Sequence, residues 1–120
     1  MMDFIYEDGF ADEWHQLGLN EETDLPALEY CLTAQPNAGA VIPNTGGIRK
    51  LRWGSRGRGK RGGAGVIYMF IPEIFIVYMF MVYGKSEVDD LSVDARKELA
   101  KHSKLVRLQL KRVYSREEFE

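Results

Sequence analysis

The eighteen residues from Val66 to Tyr83, VIYMFIPEIFIVYMFMVY, carry a single charged side chain, Glu73, and constrain the fold more than any other part of the chain. A run of this length and apolarity raises the question of a membrane span. Three features oppose it: Pro72 and Glu73 break the run in the middle, β-branched and aromatic residues dominate it, and both flanks are charged. The pattern predicts two strands, about Gly65 to Ile71 and Ile74 to Tyr83, joined by a tight turn at Pro72 and Glu73. Short connections make such strands antiparallel neighbours.

The rest of the chain supplies helices to cover them. Asp3 to Glu7 is a short β-prone run, and Phe10, Trp14 and Leu17 follow at helical spacing until Gly18. A second helix is expected from Asp24, read as the N-cap before Pro26, through Leu25, Leu28, Cys31 and Leu32 to the break at Pro36 and Asn37. Asn37 to Gly47 reads as loop. From Ile48 to Trp53 the period is two, which sets Lys50 and Arg52 on one face and Leu51 and Trp53 on the other. Ser92 is a suitable N-cap for a last helix whose apolar stripe is Leu91, Ala95, Leu99, Val106 and Leu110. Its other face, with Arg96, Lys97, Lys101, Lys104 and Arg107, reads as solvated. The expected order is β-α-α-β-β-β-α: an α+β domain with two N-terminal helices and one C-terminal helix on an antiparallel sheet. At 120 residues the whole chain, 1–120, is expected to form a single domain.

Charge is distributed unevenly. Residues 1 to 48 hold nine Asp and Glu and no Lys or Arg, whereas seven of the 16 basic residues fall between Arg49 and Arg61. Those seven are Arg49, Lys50, Arg52, Arg56, Arg58, Lys60 and Arg61, interleaved with glycines. A basic, glycine-rich loop tied to a strand suits a phosphodiester backbone, since glycine permits close approach while cations neutralise phosphate. The net charge of −2 does not oppose this, because a local basic face decides phosphate binding. Tyr68 could stack on a base; Tyr83, Trp53 and Trp14 read first as packing residues. The single cysteine, Cys31, reads as a small core residue, and His15 and His102 stand too far apart in sequence to suggest a zinc site. No metal or other cofactor is expected. Met1 to Phe10 lacks the basic start of a secretory signal, so a cytoplasmic location is expected.

Several blocks together carry a family resemblance. Thr45-Gly46-Gly47-Ile48-Arg49-Lys50-Leu51-Arg52-Trp53, the GRGKRGG run from Gly57 to Gly63, Val66-Ile67-Tyr68 and Tyr83-Gly84-Lys85-Ser86-Glu87 followed by Asp90-Leu91 occur in this order over about half the chain. In that ordered set the chain resembles the RelE/HigB-type toxins of bacterial toxin–antitoxin systems. The resemblance implies a RelE-like fold and a ribosome-dependent endoribonuclease, an mRNA interferase that cuts messages during translation and inhibits growth. It also implies a cognate antitoxin, of helix-turn-helix type, as partner, contact with the ribosome and mRNA, DNA only through the antitoxin complex, and no membrane. By motif position it puts Lys50, Arg52 and Lys85 in the catalytic role. Arg49, Arg56, Arg58, Lys60, Arg61 and Tyr68 would hold message or ribosomal RNA.

The chemistry fits these residue types. Attack of a ribose 2′-OH on the adjacent phosphate needs a proton acceptor, a donor for the leaving 5′-oxygen, and positive charge on the phosphorane. Positive neighbours disfavour the protonated form of a lysine, which suits Lys50 to the base role. Arg52, with a planar fork and fixed charge, suits the phosphorane oxygens. The chain departs from the family pattern at Gly65, where relatives usually carry a basic residue, and at Ser86, where Asn or Arg is common. Losing one such donor costs about 3 to 4 kcal/mol in comparable oxyanion sites. Two other classes therefore stay open: an attenuated toxin that binds ribosomal RNA without cutting, and a regulatory protein that acts bound to its antitoxin.

Overall fold

A computed structural model describes residues 1–54, 63–84 and 91–118, with side chains as far as Tyr114. Five strands, β1 (Asp3–Tyr6), β2 (Ala40–Val41), β3 (Arg49–Trp53), β4 (Ala64–Ile71) and β5 (Ile76–Gly84), form one sheet in the order β1-β5-β4-β3-β2. Helices α1 (Phe10–Gln16) and α2 (Asp24–Ala34) precede β2, and α3 (Val93–Glu118) follows β5. The long apolar run thus folds as two antiparallel strands, and no helix among the described residues is long and apolar enough to cross a membrane.

Helices cover both faces of the sheet, which is why the central strands are apolar at successive positions rather than alternate ones. On one face Ala64, Val66 and Tyr68 of β4 and Val77, Met79 and Val82 of β5 pack with Phe10 and Trp14 of α1 and Leu28 and Leu32 of α2. On the other, Ile67, Met69, Ile71, Tyr78, Phe80 and Tyr83 meet Leu91, Leu99, Val106 and Leu110, the latter three from α3. Ser92 caps α3 as expected, its Oγ accepting from the Ala95 N–H at 3.1 Å.

Between β4 and β5 the register slips. Ile67 pairs with Met81 and Tyr68 with Met79, so Phe80 is an extra residue, a β-bulge. The consecutive residues Phe80 and Met81 both face α3, and alternation resumes one step out of phase. Tyr83 therefore lies on the α3 face and Val82 on the other.

The structure corrects four local expectations. β1 pairs with β5 in parallel, so the sheet is mixed rather than antiparallel throughout. Within the segment expected to be loop, Ala40 and Val41 add an edge strand to β3. The turn takes four residues, Pro72 to Phe75, with Phe75 at φ 58, and β5 starts at Ile76. Finally, Asp24 is the first helical residue of α2 rather than its cap. The turn before it is closed by Asn20, whose Oδ1 accepts from the N–H groups of Glu22 and Thr23 at 2.6 and 3.1 Å.

Candidate nucleic-acid interface

Strand β3 sorts the basic residues by parity. Lys50 sits opposite Ile67 and Arg52 opposite Gly65, so both belong to the face that carries α3. Beyond Gly65 the same row continues to Tyr83 on β5. Directly paired residues in an antiparallel ladder share a face, with Cβ atoms about 4.5–5.5 Å apart. Arg52, Gly65 and Tyr83 thus form one transverse row, and Lys50, Ile67 and Met81 the next. Arg52 is exposed and Lys50 half-buried.

The absent side chain at Gly65 is what admits Tyr83. A Cβ built there would lie 2.5 Å from Tyr83 Cζ, 2.8 Å from its hydroxyl oxygen and 2.9 Å from Cε2. The phenol therefore lies over the glycine backbone, almost buried at 8 % exposure. Lys50 Nζ stands 5.9 Å from the centre of that ring, within cation–π range. A basic residue at position 65 could enter only if Tyr83 swung away. Gly65→Arg is accordingly expected to lower unfolding stability by about 1–3 kcal/mol, the usual penalty of overpacking. Urea denaturation checks this, and an unchanged midpoint would show that the ring moves without cost.

A cleft of about 220 Å³ opens between the edge of the sheet and α3, lined by Ala40, Val41, Ile42, Pro43, Lys50, Leu91 and Arg96. The sequence reading placed Arg96 on the solvated face of the last helix; here it is half-buried and faces the cleft. Its position was legible. Arg96, Leu99, Ser103, Val106 and Leu110 recur at steps of three and four, which is the rhythm of the buried stripe. A second hollow, of about 370 Å³, brings Glu13 of α1 to Tyr83 and Leu91.

Arg49 and Tyr68 belong elsewhere. They pair with each other on the face covered by α1 and α2. Tyr68 is fully buried; its hydroxyl accepts from the Gly39 N–H at 2.9 Å and donates to the Pro36 carbonyl at 2.8 Å. Burial raises the Tyr68 phenol above the ordinary tyrosine range, partly offset by the Gly39 bond and the Arg49 charge. Arg49 donates to the carbonyls of Gly39 and Asn37 at 2.7 and 3.2 Å. A Cβ at Gly39 would meet both the Lys50 carbonyl oxygen and Tyr68 Cε1 at 2.9 Å, so only glycine fits under this clamp. Tyr68 is thus corrected from a base-stacking candidate to a core residue, and Arg49 from an RNA contact to a brace. Together they hold the segment that leads into β2 against the back of Lys50. Lys85, Arg56, Arg58, Lys60 and Arg61 lie outside the described residues.

The acidic N-terminal third has its own partners. Glu7, one residue past β1, accepts from the Tyr78 hydroxyl at 2.8 Å and lies 2.5 Å from His102 Nε2; Tyr6 donates to Glu29; His15 meets Glu21 at 2.9 Å. Burial first, and Glu7 second, push the Tyr78 phenol well above its usual range. From β1 to β3 there are three strand spacings of about 4.8 Å, roughly 14 Å in all. That exceeds the screening length of about 8 Å at physiological salt, so β1 and its acidic neighbours leave the β3 cations largely unneutralised.

No protein-family model matches the chain. Among solved structures, it is similar to the Escherichia coli toxin RelE, determined as a double arginine-to-alanine mutant in the free state. The TM-score is 0.54 at 17% sequence identity, over 73% of this chain and 87% of that one. A match of this kind is one of backbone arrangement.

Proposed function

From the premise that this chain has a RelE-like toxin fold, we propose that it is the toxin of a toxin–antitoxin pair and an endoribonuclease that cuts messenger RNA on the translating ribosome. The observation that carries this reading is the pair Lys50 and Arg52, side by side on one face of β3 and away from the acidic strand. In this mechanism the 2′-OH attacks the neighbouring phosphorus while Lys50 takes its proton, and Arg52 holds the equatorial oxygens of the phosphorane. The 5′-oxygen leaves with a proton from a third cation, for which Lys85 is the candidate. Tyr83 supports Lys50 by lying under its ammonium group. Arg56, Arg58, Lys60 and Arg61 supply further phosphate contacts to message or ribosomal RNA. The partners are the ribosome, the message and a cognate antitoxin, and the location is the cytoplasm.

Primer extension on a defined message in a reconstituted translation system tests the proposal. Breaks at codons in the ribosomal A site are the expected result. A second reading follows from Gly65, because the place of a β4 cation is held by a neutral phenol. If translation stops while every transcript stays intact, the protein is a ribosome-binding inhibitor and not a nuclease.

A further inference from the structure

The cleft beside Lys50 is not accounted for by the row of catalytic candidates. Its walls differ in chemistry: Lys50 and Arg96 enter from two elements, β3 and α3, whereas Val41, Pro43 and Leu91 form an apolar side. Val41 is 51% exposed on the two-residue edge strand, an unusual position for a branched aliphatic side chain with no role. Arg96 interrupts the buried stripe of α3 at the turn that opens onto this space. A charge placed on a core-facing rhythm carries a desolvation penalty unless an anion or solvent meets it there.

We propose that Lys50 and Arg96 together bind one phosphate of a single-stranded RNA, and that Val41 and Pro43 receive the sugar or base of the same nucleotide. The fork of Arg96 takes two phosphate oxygens and Lys50 a third, as a point charge. An edge strand with exposed apolar side chains offers a flat surface to one unstacked nucleoside, while the narrow cleft excludes a duplex. The assignment of the ligand to message rests on the nuclease reading above. It adds a residue on α3, Arg96, as the group that fixes where the strand lies relative to Lys50.

The test is a titration of ¹⁵N-labelled full-length protein with adenosine 3′-monophosphate, adenosine and inorganic phosphate, alongside the primer-extension assay. Saturable shifts of the Val41, Ile42 and Leu91 amides are expected with the nucleotide, with at least about tenfold weaker binding of nucleoside or phosphate alone. Arg96→Ala should weaken nucleotide binding by about tenfold or more, the scale of one charge-assisted contact. Arg96→Lys should recover part of it. Nucleotide shifts that avoid these amides, or survive Arg96→Ala unchanged, overturn the site. Equal binding of inorganic phosphate overturns the nucleoside wall. The two readings fail separately: binding at the cleft by a protein that leaves messages whole keeps this site and rejects the nuclease, and cutting with no shift at the cleft does the reverse.

Discussion

Lys50→Ala is expected to slow message cleavage by about 10²–10⁴-fold, the range supplied by one positioned acid–base group. Affinity for the ribosome should fall far less, since one of several phosphate contacts is lost and the others remain. The companion variant is Lys50→Arg. It keeps the positive charge but places there a group that does not release its proton near neutral pH. If Lys50 takes the 2′-OH proton, Lys50→Arg is nearly as slow as Lys50→Ala in single-turnover cleavage on programmed ribosomes. Cleavage by Lys50→Arg close to the wild-type rate would instead make position 50 an electrostatic clamp. Loss of rate and loss of binding in equal measure would remove the base role altogether.

The largest effect on stability is expected at Trp14. This residue is fully buried, stacks on Phe10 with ring centres 5.9 Å apart, and donates from Nε1 to the Asn20 carbonyl at 3.1 Å. It therefore joins α1 to the turn that starts α2 and to the sheet beneath both. Trp14→Ala removes the ring and leaves the Asn20 carbonyl without that donor, at a cost of about 3–5 kcal/mol. Urea denaturation followed by far-UV circular dichroism should show a lower midpoint at nearly unchanged slope. A loss below about 1 kcal/mol would mean that α1 is not part of the cooperative core.

Much of this architecture is legible in residue order, and the exceptions have physical reasons. The division of Lys50 and Arg52 from Leu51 and Trp53 follows from strand alternation alone. The same rule assigns Arg49 to the Leu51 face, yet a cluster of charges invites reading all its members as one patch. Tyr68 was ambiguous because a strand tyrosine serves stacking and packing equally well until its hydroxyl partners, Pro36 and Gly39, are known. Nothing in two residues such as Ala40 and Val41 distinguishes an edge strand from loop. Parallel pairing of β1 with β5 depends on a chain reversal through some seventy residues, and no local propensity encodes it. Arg96 could have been found by counting threes and fours through Leu99 and Ser103, but a cation at a helix start is ordinarily assigned to solvent.

The extra residue at Phe80 has a consequence for how this protein can change over time. Along β5 it works as a change of phase: side chains before it obey one parity, those after it the other. The first half of the strand can be rewritten by ordinary apolar substitution without touching Tyr83. A single-residue deletion that restores unbroken alternation would exchange the roles of Val82 and Tyr83. It would send the phenol toward α1 and α2, strip Lys50 of the ring beneath it and uncover the bare backbone of Gly65. Insertions and deletions between Ile76 and Met81 are therefore far more damaging to the basic face than any one replacement there, although none of those residues belongs to it.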